Sequence, residues 1–124
     1  MPITTGIDIV KIDRIKEIIE DKKEAFLTRV FSEDEIAYCE TKVNKFQHYA
    51  ARFAAKEAFL KALHQTSPNI TYKDIVVSKD GDVPCIELSQ DKESFIAGTS
   101  TSLSISHEKE YAVAVVVIEK PCGK

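Results

Sequence analysis

The chain has 124 residues, enough for one domain with a real core but not for two, so residues 1–124 are read as a single domain. Its 44% hydrophobic and 30% charged shares are those of a soluble globular protein, and a net charge of −3 supplies no basic field for nucleic acid. Cys39, Cys85 and Cys122 are odd in number, widely spaced and form no C-x-x-C, which argues against a disulfide framework or a zinc site. The opening MPITTGIDIV lacks the apolar run of a signal peptide, and no stretch is long and apolar enough to span a membrane, so a cytoplasmic protein is expected.

Residues Ile3 to Val10 alternate and predict a strand, with Ile3, Thr5, Ile7 and Ile9 on a core face and Gly6, Asp8 and Val10 opposite. Aspartate is unfavourable inside a strand, and Gly6 beside it leaves room for a ligand. A helix is expected over Lys11 to Glu24, with Ile12, Ile15 and Ile19 facing the core. The neighbouring stripe of Lys11, Arg14, Ile18 and Lys22 is basic with an apolar centre. It reads either as a solvated face or as a docking surface for an acidic helix. Ser32-Glu33-Asp34-Glu35 is a capping box that starts a short helix through Tyr38 and Cys39.

Asn44 to Gln65 contains no Gly or Pro and predicts one long helix. Phe46, Tyr49, Ala50, Phe53, Leu60 and Leu63 cluster on one side of its wheel, with Glu57 in the middle of that stripe. A carboxylate there must be paired, protonated or bound to a metal. Lys61, one turn on, offers a partner, and an ordinary Glu57–Lys61 surface pair is the plainer alternative. The alanines at 50, 51, 54, 55 and 58 keep the helix thin enough for another backbone or a flat ligand to approach.

Ser67-Pro68-Asn69 ends the helical half. Tyr72 to Lys79 and Val83 to Leu88 predict a hairpin turning at Asp80-Gly81, and Ser89 to Gly98 a short helix. Thr101 to Ser106, with Leu103 and Ile105 inward, and the apolar Tyr111 to Ile118 predict two further strands, the second central. The order is α+β: an N-terminal strand, helices including one long central helix, then antiparallel strands.

Three pieces stand together: G-I-D at Gly6 to Asp8, R-F-A-A-K-E-A-F-L-K at Arg52 to Lys61, and S-I-S-H at Ser104 to His107. This combination resembles the 4′-phosphopantetheinyl transferases, in particular their small bacterial members, and runs from Thr5 to Glu119. The resemblance implies transfer of the phosphopantetheine arm of coenzyme A to a serine of an apo acyl carrier protein, releasing adenosine 3′,5′-bisphosphate, in fatty acid biosynthesis. It implies Asp8 and Glu57 as Mg²⁺ ligands, and Lys61 as a phosphate contact. It further implies Arg52 and His107 at the nucleotide end, with Arg14 docking the carrier beside Ile18 and Lys22. Homotrimers with active sites at subunit boundaries are implied too. Either Glu57 or a metal-bound water accepts the serine proton.

Two stretches depart from the pattern. Glu17, Glu20, Asp21 and Glu24 dilute the basic first helix, and the hairpin carries G-D-V-P at Gly81 to Pro84, so no nucleotide contact is assigned to that loop. His48 and His64 belong to no motif and are read as exposed helix residues. The alternative from another class is a non-catalytic interaction domain that kept the fold; loss of Asp8, Glu57 or Lys61 would be its sign, and all three are present.

Overall fold

The computed structural model describes residues 3–63 and 69–120. Strand β1 (Ile3–Lys11) is followed by helices α1 (Ile12–Lys22), α2 (Glu24–Val30), α3 (Glu33–Glu40) and α4 (Lys45–Ala62). Strands β2 (Ile75–Asp80), β3 (Val83–Leu88), β4 (Ser100–His107) and β5 (Tyr111–Glu119) complete the fold, with a 3₁₀ turn before β2 and another before β4. The expected α+β architecture is present. All strand pairs are antiparallel, in a three-stranded sheet β1-β5-β4 and a separate β2-β3 hairpin. Strand β5 is central, as its apolar run predicts, and Gly81 sits at φ 64° in the hairpin turn, where glycine has no Cβ to clash.

Helix α4 lies across the three-stranded sheet, and the contact is made through small residues. A Cβ built on Gly6 would sit 1.9 Å from the carbonyl oxygen of Ala58, so only glycine lets β1 pass the helix this closely. Ala51, Ala54, Ala55, Ala58, Phe59 and Ala62 form the deepest face of α4. The predicted stripe is therefore shifted: Tyr49 and Ala50 are buried, whereas Phe46, Phe53, Leu60 and Leu63 only flank the core. Glu57 lies at the rim of the packed face, half-buried, and not in its middle.

The close approach also fixes which face of β1 is inward. The alternation holds, but Gly6 and Val10 point to α4, while Ile7 and Ile9 are 60% and 62% exposed in the single chain. The expectation of core isoleucines on β1 is corrected accordingly. Strand β5 presents Val113, Val115 and Val117 in partial exposure, with Ile7 opposite Val115 and Ile9 opposite Val113. Ile7, Ile9, Val113, Val115 and Val117 thus form an apolar strip on the side of the sheet away from α4, which β4 continues with Ser102, Ser104 and Ser106.

The predicted first helix is broken. Ile12, Ile15 and Ile19 are buried as expected, but Lys23 at φ 51° ends α1 and starts α2. The Ser32 capping box is formed in both directions: Glu35 N–H donates to Ser32 Oγ at 3.2 Å and Ser32 N–H to Glu35 Oε1 at 2.9 Å. Glu35 does more than cap. Its Oε1 also takes a 2.7 Å bond from Lys56 Nζ and its Oε2 one of 2.7 Å from the Val77 amide. Lys56 is 0% exposed and completes its three donor bonds on the carbonyls of Val30 at 2.8 Å and Tyr72 at 3.0 Å. Burial pulls the Lys56 pKa down, and Glu35 opposes that shift. This saturated pair ties α2, α3, α4 and β2 into one unit. His64, the Ser67-Pro68 stop and Cys122 lie outside the described residues.

Candidate functional site

A groove of about 590 Å³ opens where β1, α1 and α4 meet, lined by Asp8, Arg14, Ile18, Phe53, Glu57 and Lys61 among others. Each side chain arrives for a local reason. Asp8 shares the inward face of β1 with Gly6, two residues on, and so clears the edge of α4. Glu57 and Lys61 are one helical turn apart on α4, and Arg14 and Ile18 one turn apart on α1. The two predicted ligands therefore share one cavity with the predicted phosphate contact and two of the three predicted docking residues. Lys22 does not reach it; it lies a turn further along α1, beside Asp21 at 3.8 Å.

Lys61 does not pair with Glu57. Its ammonium donates to Asp8 Oδ1 at 3.2 Å and to the Ile7 carbonyl at 3.0 Å, because the close crossing at Gly6 brings β1 within its reach. Glu57 has a different partner: the Tyr72 hydroxyl donates to its Oε2 at 2.6 Å. Burial first, and the bond to the Glu57 carboxylate second, push the Tyr72 hydroxyl up to about 12, so it remains a donor.

The donor set fits Mg²⁺. Both side chains are carboxylates, and Asp8 Oδ2 and Glu57 Oε1 have no hydrogen-bond partner among the described residues. Mg²⁺ prefers oxygen and typically takes one or two carboxylates, filling its other positions with phosphate oxygens and water. Among the described residues no group of three or more His, Cys, Asp or Glu side chains is placed to hold a metal.

A second pocket, of about 180 Å³, is lined by His48, Arg52, Lys79, Asp82, Pro84 and His107. The structure thus brings Arg52 and His107 together, but apart from Asp8 and Glu57. Arg52 and Glu57 are five residues apart on α4, about 140° around the helix axis. Arg52 is buried and makes no ion pair with any described residue; its Nε is unpartnered, and its guanidinium lies 4.4 Å from the Tyr38 ring centroid. Lys42 and Lys79 flank the same ring at 4.7 and 5.6 Å. Burial lowers the His48 pKa, and Arg52, Lys42, Lys79 and His107 lower it further. Such a concentration of positive charge around a buried, under-satisfied guanidinium suits a phosphate-bearing group.

Sequence reasoning missed Tyr72, Tyr38 and Lys79, whose places depend on how the hairpin folds over α3 and α4. It also assigned nothing to the G-D-V-P hairpin, two of whose residues line the second pocket. Lys56, adjacent to Glu57, was visible as a motif residue, but only the fold shows it buried on Glu35.

Residues 4–116 match the family model of the 4′-phosphopantetheinyl transferase superfamily, and the chain belongs to that family. Its similarities within the family point one way. It is 47% identical over 115 residues to the holo-[acyl-carrier-protein] synthase of Thermodesulfovibrio yellowstonii, spanning 91% of this chain and 95% of that protein. It is 41% identical to the synthase of a Geobacter species, over 94% and 97%. Among solved structures, the Helicobacter pylori holo-[acyl-carrier-protein] synthase in complex with coenzyme A superposes with a TM-score of 0.82 at 39% identity, covering 93% of this chain and 99% of that one. The Neisseria meningitidis synthase gives 0.84 at 30% identity, over 94% and 98%.

Proposed function

We propose that this protein is a holo-[acyl-carrier-protein] synthase, moving 4′-phosphopantetheine from coenzyme A to a serine of an apo acyl carrier protein in fatty acid biosynthesis. The observation that carries the reading is the single groove that gathers Asp8, Glu57 and Lys61 with Arg14 and Ile18 of α1. The membership of the chain in the transferase family supports it.

In this reading the serine oxygen attacks the phosphorus that bears the pantetheine arm. The bond to the bridging oxygen breaks, and adenosine 3′,5′-bisphosphate leaves with the electron pair. Asp8 and Glu57 would hold Mg²⁺ beside the pyrophosphate, where the ion would supply charge neutralisation and polarisation of the attacked phosphorus. The Lys61 ammonium, held beside Asp8, adds a positive charge next to the oxygens that become more negative as the bond breaks. Either Glu57 or a water in the groove accepts the serine proton. Arg52 and His107 take the nucleotide end, and Arg14, Ile18 and Lys22 meet the acidic carrier.

The two pockets of one chain are distinct, so this assignment requires the nucleotide pocket of one copy to complete the groove of another. A homotrimer joined through the apolar sheet face, with active sites at the subunit boundaries, meets that requirement. No helix among the described residues is long and apolar enough to cross a membrane, and Cys39 and Cys85 are free thiols; a cytoplasmic location is part of the proposal. The test is carrier-dependent release of adenosine 3′,5′-bisphosphate from coenzyme A, followed by chromatography. Release with apo carrier and Mg²⁺ supports the reading. Its absence, where a known transferase turns over the same carrier, contradicts the reading and leaves an interaction domain.

A further inference from the structure

Tyr72 is gripped twice by neighbouring residues of α4. Its backbone carbonyl accepts a 3.0 Å bond from Lys56 Nζ, and its hydroxyl donates a 2.6 Å bond to Glu57 Oε2. Lys56 is itself fixed by the buried carboxylate of Glu35. The Tyr72 ring packs on Phe53, with centroids 5.4 Å apart, and Phe53 lines the groove. The turn that carries Tyr72 is closed behind it: the Thr71 amide donates to Asp74 Oδ2 at 2.9 Å, and Lys92 pairs with that carboxylate at 3.0 Å. A phenol fixed at its carbonyl, its ring and its turn has little freedom to follow the carboxylate; the carboxylate follows it.

We propose that the Tyr72 hydroxyl is a positioning group, holding Oε2 of Glu57 so that Oε1 stays directed into the groove for Mg²⁺. The inference rests on the assignment of Asp8 and Glu57 as ligands. Glu57 is half-buried on an exposed rim, where a free glutamate would sample several rotamers, and ordering it is entropically unfavourable for each metal ion that binds. A fixed hydroxyl takes that ordering out of the binding step. Groups that orient a ligating carboxylate typically alter metal affinity 10- to 100-fold when removed. Tyr72 belongs to no motif of the sequence, and its place is set by the turn before β2.

The test compares wild type, Tyr72→Phe and Glu57→Gln, each with coenzyme A, by electron paramagnetic resonance titration of Mn²⁺ as the spectroscopic stand-in for Mg²⁺. Phenylalanine keeps the ring contact with Phe53 and the carbonyl bond from Lys56, so the melting midpoint should not move. Mn²⁺ affinity should fall about 10-fold in Tyr72→Phe. Turnover should fall at low metal and recover at high metal, with the Michaelis constant for the carrier unchanged. Unchanged Mn²⁺ affinity in Tyr72→Phe, with affinity lost in Glu57→Gln, would overturn the role of Tyr72 and leave the ligand assignment standing. A melting midpoint that drops in step with affinity would make Tyr72 a structural residue and also overturn it. Wild-type affinity in Glu57→Gln would overturn the ligand assignment together with the proposal.

Discussion

Lys56 Nζ and Glu35 Oε1 meet at 2.7 Å with both side chains shut off from solvent, 21 residues apart in the sequence. Removing one partner strands the other as a buried charge, which typically costs about 3–5 kcal/mol. Lys56→Met should therefore lower stability by that order. Adding Glu35→Gln to it should cost less than the sum of the two single changes, because the stranded charge is gone. Denaturant unfolding at fixed protein concentration measures all three; strictly additive losses would mean that the pair does not act as a unit.

Thiol chemistry reports on the same region. Cys39 is fully buried, and burial pushes its thiol up to about 11, whereas Cys85 is partly exposed. At pH 8 roughly one Cys39 in a thousand is the reactive thiolate, and even that one is out of reach. Iodoacetamide at pH 8 should label Cys85 in the native protein and Cys39 only after denaturation, read by peptide mass. Native labelling of both at one rate would contradict the packing of α3 on α4.

The apolar sheet face gives an oligomer prediction. Ile7 and Ile9 are 60% and 62% exposed and pair with the half-buried Val115 and Val113, an apolar strip suited to burial against another copy. Sedimentation should show a trimer. Ile7→Lys should dissociate it and abolish turnover while the separated chains remain folded. A stable, active wild-type monomer would contradict the shared-site arrangement.

Carrier docking is tested at Arg14, which lines the groove and is exposed on α1. Arginine can hold a carboxylate through two parallel bonds. Arg14→Asp should raise the Michaelis constant for the carrier about 10-fold or more and leave that for coenzyme A nearly unchanged. The wild-type carrier constant should worsen with salt, since exposed charges are screened over about 8 Å at physiological ionic strength. Equal effects on both substrates would assign Arg14 to the groove's own structure.

What the sequence showed and what it hid have separate physical causes. Signals that repeat within a few residues were legible: the alternation of β1, the Ser32–Glu35 box, the Asp80-Gly81 turn and the apolar run of β5. Choices made by a distant partner were not. The isoleucine face of β1 is the more hydrophobic one, yet α4 packs on the opposite face, because only Gly6 admits the helix. Lys61 and Glu57 have the spacing of a helix pair, but Asp8 and Tyr72, 53 and 15 residues away, take them instead. The break at Lys23 carries no Gly or Pro to announce it. Asp8, Glu57 and Lys61 were legible because they fall in the motif stretches; Tyr72, which holds Glu57, falls outside them.

An intact-mass measurement tests most directly whether Asp8 and Glu57 serve phosphopantetheine transfer. Apo acyl carrier protein is incubated with coenzyme A, Mg²⁺ and either wild-type protein or Glu57→Gln. The wild type should add one phosphopantetheine to each carrier, chelation of Mg²⁺ should stop it, and Glu57→Gln, equally folded, should be slower by about 100-fold or more. A carrier left unmodified by the wild type, or modified as fast by Glu57→Gln, would contradict the account.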